Sequence, residues 1–169
     1  NKLKTMYPIK QINYGNIKDY ITLTNKNNNH ISIVPETMQH ILKDKFTNIR
    51  FITSIGIEKF TLISPFNKSI NSWSNTSNKK VCVIRDSSDY HILKYMRKLL
   101  GIEFKITFIN SFNMKVIDDF KNNKYDCIFL LMAHPNNILK NINKLFPLKF
   151  IGTKGINEDT LNIIFPNNT

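Results

Sequence analysis

Glycine is scarce in this chain, with five among 169 residues, and none stands in a GxxxxGK phosphate loop or a GxSxG elbow. That removes the usual nucleotide cradle and the strained nucleophile turn of the hydrolases. Cysteine is nearly absent too: Cys82 and Cys127 form no CxxC pair, and both sit inside apolar runs. Two buried thiols are expected, with a disulfide conceivable only if their strands are neighbours. The four histidines, His30, His40, His91 and His134, are scattered without metal-ligand spacing. Asp118, Asp119 and Asp126 fall on helix-surface and strand-entry positions and do not converge as an acid–base pair. Ser87 has no evident base held by an orienting acid. No apolar run approaches the roughly 18 residues of a membrane span. An enzyme is not expected, and neither is a cofactor or a metal.

What is abundant is lysine, asparagine and isoleucine: 21, 24 and 26 residues respectively. The formal net charge is +12. Such a charge suits an acidic partner. Yet only three basic residues are arginines (Arg50, Arg85 and Arg97), and the lysines are spread evenly, as A/T-rich codons produce. No basic run is interleaved with aromatics, so direct nucleic-acid contact is allowed by the charge but not favoured. Hydrophobic residues make up 41% in short runs, which indicates a folded core. The chain begins at Asn1, not at methionine, and a processed, trimmed or fragmentary chain is expected.

Three segments are expected: a partial first lobe with crossover strands over 1–66, an α/β lobe over 67–152, and a tail over 153–169. In the first, Pro8–Ile12 and His30–Val34 read as strands, and Gly15–Leu23 as a helix. Pro35 suits the first turn of a helix over Glu36–Lys45. Ile49–Ile55 and Phe60–Ser64 are extended runs. The polar stretch Asn67–Lys80 reads as a connection, with Trp73 packed into the core. The second lobe alternates strand and helix: Val81–Ile84, a helix to Leu100, Lys105–Ile109, a helix over Asn113–Asn122, Tyr125–Met132, and a helix from about Ile138. Such alternation builds a parallel sheet, and ligands of such sheets lie at the carboxyl ends of the strands. The tail carries one short helix after Asn157 and stops at Pro166.

Two polar turns occupy those ends. Ser87, Ser88 and Asp89 precede the apolar helix pattern Ile92, Leu93, Met96, Leu99 and Leu100. They are candidate helix caps, and their hydroxyls and free N–H groups are also candidate anion donors. Asp89 would compete with an incoming anion. In the second turn, His134 and Asn136 flank Pro135 and are candidates to cap the next helix or to donate to a ligand.

Ser69–Trp73, Asn78–Val83 and above all Phe112–Leu139, with Tyr125–Phe129 and His134–Ile138 inside it, resemble the extracytoplasmic solute receptors of TRAP transporters known as TAXI proteins. The similarity extends as a gapped pattern over residues 12–165. It implies a type II periplasmic-binding-protein fold, α/β with two lobes that each have a central sheet flanked by helices. A small organic acid or amino acid would lie in the inter-lobe cleft. By position, Ser87 and Ser88 would contact it from the second lobe with His134 and Asn136 nearby, and Tyr14 and Glu36 from the first. The resemblance places an opening strand before Asn1 and closing helices after Thr169, so the first lobe is expected to be incomplete. Asp86–Asp89 lacks the glycines of the family turn, which limits close backbone approach to a ligand.

Two roles follow. One is a solute-binding module, extracytoplasmic if it serves a transporter. The other is a repurposed structural subunit of a large assembly (a viral particle, an organellar complex or a ribosome-like body), surrounded by other protein chains and holding no solute.

Overall fold

The run Cys127–Met132 is apolar at every position, so a strand formed from it must be covered on both faces. The computed structural model describes residues 16–27, 29–52, 56, 58–133 and 135–164. It builds that cover around one five-stranded sheet. The elements are α1 (Ile17–Lys26), α2 (Thr37–Ile41), a 3₁₀ turn (Lys43–Lys45), β1 (Lys59–Pro65), a second 3₁₀ turn (Trp73–Thr76) and β2 (Lys80–Ile84). There follow α3 (Ser88–Leu100), β3 (Lys105–Ile109), α4 (Val116–Lys121), β4 (Cys127–Met132), α5 (Asn137–Leu145), β5 (Leu148–Phe150) and α6 (Glu158–Ile164). The strand order is β3-β2-β4-β1-β5.

The expected parallel core is present: β2 runs parallel to both β3 and β4. β1 is antiparallel to β4 and to β5, which makes the sheet mixed. The chain leaves β2 toward β3 on one side and returns to β4 on the other. Its two crossovers therefore lie on opposite faces. On one face Ile92, Leu93 and Met96 of α3 pack on Val81, Val83, Cys127 and Phe129, joined by Ile17 and Ile21 of α1. On the other, Val116 and Phe120 of α4 and Leu139 and Ile142 of α5 cover Cys82, Ile128 and Leu130.

This arrangement settles the cysteines. In the register Val81↔Cys127 and Cys82↔Ile128, the two thiols occupy adjacent strands but opposite faces. No disulfide can join them, and both are free and buried. Burial pushes the Cys82 thiol up to about 11 and raises that of Cys127 as well.

α3 follows its sequence signals closely. Ser87 caps its start, and Gly101 ends it in the left-handed region at φ +61°, its N–H donating to the Lys98 carbonyl. α4 begins at Val116, later than Asn113, because Asn113 Oδ1 accepts from the Lys115 N–H and makes a local turn first. Asn136 caps α5 and Asn157 caps α6.

The N-terminal third departs most from expectation. Among the described residues there is one sheet, and β1 is the strand that residues 1–66 contribute to it. β1 joins the strands that follow it in sequence. His30–Val34 pairs with no strand, and Ile31 and Ile33 are 82% and 75% exposed. Ile49–Ile52 is likewise irregular, while Pro8–Ile12, residues 53–55 and Pro166 lie outside the described residues. The helix expected over Glu36–Lys45 breaks at Leu42 (φ −120°, ψ 33°) into α2 and a 3₁₀ turn. Met38, Ile41, Leu42 and Phe46 stand at the i, i+3, i+4, i+8 spacing of one helix face, and all four still pack in the core across the break.

Trp73 fixes the connection between β1 and β2. It is fully buried, its indole N–H donates to the Gly152 carbonyl at 2.8 Å, and its ring meets Phe60 and Phe129 edge-on at 6.3 and 5.9 Å. Gly155 completes the clasp. It has φ +87°, and a Cβ there would lie 3.0 Å from the Cβ of Ser72. Trp73→Ala is expected to lower unfolding free energy by about 3–5 kcal/mol in urea titrations. A loss under about 1 kcal/mol would show that this clasp does not hold the two segments.

Candidate functional site

The reversal of strand order around β2 sends the chain to opposite faces of the sheet after β2 and after β4, and the carboxyl ends of these two strands are where such sheets usually hold ligands. Pairing between these strands is carried by Val81↔Cys127 and Cys82↔Ile128, near their starts. Beyond it the chain turns out of β2 through Arg85 and Asp86, the latter at φ +56°. This is the left-handed conformation that glycine takes most easily and that aspartate tolerates. α3 and α5 both begin at this end.

The gap between the strand ends is bridged by Asp89. Its side chain is 5% exposed, and Oδ2 accepts from the Leu131 N–H at 3.1 Å. The Ser88 hydroxyl donates to Oδ1 at 3.4 Å. Burial is the main reason that the Asp89 carboxyl is pushed up to about 6. The Leu131 N–H opposes that shift, and the Glu58 carboxylate adds to it.

Ser87 stands at the carboxyl end of β2 as expected, but its hydroxyl is engaged in the fold. It donates to the Ile84 carbonyl at 2.7 Å and accepts from the Tyr90 N–H at 3.3 Å. Asn136 stands at the end of the neighbouring strand, where Oδ1 accepts from the Leu139 N–H at 2.9 Å. Both residues therefore act as helix caps, one of the two uses expected of them. The Ser88 hydroxyl makes the lighter contact, to Asp89. Glu36 lines a surface depression of about 750 Å³ with Gln39, His40 and Tyr95, one that includes neither serine nor Asn136. Tyr14 and His134 lie outside the described residues. The N-terminal segment does reach the first turn: the Ile17 N–H donates to the Asp86 carbonyl at 3.3 Å. Among the described residues no cluster of His, Cys, Asp and Glu is arranged to hold a metal ion, and no helix is long and apolar enough to cross a membrane.

Two features were missed from the sequence. In the sequence Asp89 reads as a helix cap and a competitor for an anion, whereas in the structure it ties a helix to a strand. The contact of Ile17 with Asp86 joins segments that have no shared motif, so no local signal announces it.

No family model matches the chain, and no curated protein does. Solved structures do. A substrate-binding protein of an ABC uptake transporter from Streptococcus pneumoniae, with bound histidine, is 16% identical with a TM-score of 0.51. The match covers 68% of this chain and 47% of that one. An ancestral arginine-binding protein bound to arginine is 18% identical with a TM-score of 0.48, over 78% of this chain and 58% of that one. The chain spans about half the length of these solved proteins. The fold is thus α/β of the periplasmic-binding-protein kind, a mixed sheet with flanking helices.

The raised Asp89 carboxyl has a direct consequence for stability. A carboxyl whose folded-state pKa lies above its unfolded value of 3.8 favours the folded state while protonated. That contribution is lost as pH rises from about 4 through about 6. A shift of this size corresponds to roughly 3 kcal/mol at its upper bound. Asp89→Asn keeps an acceptor for Leu131 and carries no charge. It is expected to be more stable than the parent at pH 7.5 in urea titrations, with the advantage vanishing near pH 4. A variant less stable than the parent at pH 7.5 would show that the charged carboxylate is favourable where it stands.

Proposed function

We propose that this chain is a non-catalytic, solute-binding-protein-like domain whose ligand, a small organic acid or amino acid, sits at the carboxyl ends of β2 and β4. The observation that carries this reading is the convergence of two helix starts on adjacent parallel strands at the point where strand order reverses. Such a switch point is the usual ligand position in open α/β sheets. Backbone N–H groups at the start of the 13-residue α3 favour a carboxylate, and the Ser88 hydroxyl is free to turn from Asp89 toward one. Ser87 and Asn136 hold the two helix starts in place. The bound histidine of the pneumococcal protein that shares the fold supports an amino acid as the first class to test. His134 remains a proposed contact beside Asn136, and Tyr14 and Glu36 remain the proposed contacts from the other side. The likeness of residues 112–139 to TAXI receptors is the finer form of the same reading, and with it an extracytoplasmic setting.

The test is thermal unfolding against a panel of amino acids and dicarboxylates at millimolar concentration. A true ligand at about 100 times its Kd adds about 2.7 kcal/mol. For a chain of this size that raises Tm by roughly 5–10 °C. Ser88→Ala should keep the unliganded Tm within about 2 °C and reduce the ligand-induced rise. Absence of a shift with every compound in the panel would remove the solute-binding reading.

A further inference from the structure

Aromatic and basic side chains that are dispersed in the sequence meet on the outer side of α3 and the adjoining edge strand β3. The Arg85 guanidinium lies over the Phe108 ring at 4.7 Å. Phe108 meets Tyr90 edge-on at 5.4 Å, and Tyr90 lies 5.3 Å from the His91 ring. Phe108 is 40% exposed although it is a large apolar side chain on a strand. This row runs into a surface depression of about 580 Å³ that Tyr90 and His91 line together with Tyr95. Its cations are Lys18 from α1 and Lys94, Arg97 and Lys98 from α3. Glu103 is the acidic member of the lining.

We propose that this surface binds single-stranded nucleic acid, its cations tracking phosphates while bases stack on Phe108 and the neighbouring rings. Successive bases on aromatic faces beside a cationic groove are how sequence-tolerant single-strand binding works. The Arg85–Phe108 stack presents a guanidinium plane of the kind that also takes a base. Two of the three arginines of the chain, Arg85 and Arg97, stand in this one region. A purely solvated lysine face would not need exposed Phe108 beside it, joined to it through Tyr90. His91 supports the sign of the local field. Its pKa is lowered by burial first and then by the Lys18 and Lys94 ammonium groups, against the opposing pull of Asp86. The surface uses neither Ser88 nor Asn136, so it stands or falls separately from the candidate site at the strand ends.

The experiment is fluorescence anisotropy of the full chain with a fluorescein-labelled 20-nucleotide oligo(dT) at 25–200 mM NaCl. Binding should weaken with salt along a log–log slope of about −0.7 per phosphate contacted, hence roughly −3 for four cations. Phe108→Leu keeps an apolar side chain and removes the ring, and it should weaken binding by about tenfold. Lys94→Glu combined with Lys98→Glu alters two exposed positions. It should abolish binding at 100 mM NaCl without changing Tm by more than about 2 °C. Lys149→Glu, on the far strand β5, should bind as the parent does. No binding at 25 mM NaCl would overturn the proposal. So would a Phe108→Leu variant of parental affinity, or competition by polyglutamate as effective as unlabelled oligo(dT). The last of these results would mark the surface as a charge-reading site for acidic protein.

Discussion

A strand with no solvent-facing side dictates most of this architecture. From Cys127 to Leu130, β4 is at most 1% exposed on either face, and Met132 is 7% exposed. Burying one such side chain is worth about 1.5–3 kcal/mol, and that gain requires a layer above and a layer below. The crossovers through α3 and α4 supply these layers. The first runs from β2 out to β3 and the second from β3 back past β2 to β4, and the switch point at the ends of β2 and β4 is the geometric by-product. The candidate site and the core are thus one solution to one packing problem.

The same logic explains what could be read in advance. From Val81 to Ile142 the periodicity, the caps at Ser87 and Asn136 and the glycine stop at Gly101 all agree with one another. Strands, helices and their order followed. The antiparallel placement of β1 carried no local signal, since Phe60–Ser64 would be apolar in either direction. β5 is three residues long, too short for a periodic pattern. In the N-terminal third, Ile31, Ile33, Phe51 and Ile52 read as strand-forming, yet they are 72–82% exposed and unpaired among the described residues. β-propensity reflects packing on a half-buried surface more than the backbone itself, and no such surface meets them there.

The site was legible by position and less so by role. Ser87 and Asn136 occupy the strand ends that the alternation pattern indicates, but each hydroxyl or amide oxygen is held by its own helix. Asp89 looked like a cap and proved to be a cross-link from α3 to β4, a difference that rests on the splay of two strands. The basic–aromatic row was illegible for a plainer reason. Arg85, Phe108 and Lys18 are far apart along the chain, and only the placement of α1 and β3 on either side of α3 gathers them. A search for a continuous basic and aromatic run could not find it.

The two thiols, one beneath each helical layer, give the molecule an internal pair of clocks. Cys127 is sealed under α3, and Cys82 under α4 and α5. A small alkylating reagent can reach either sulfur only when the covering layer lifts. Unequal trapping of the two would therefore reveal which side of the sheet breathes first, and equal trapping would reveal that both part together.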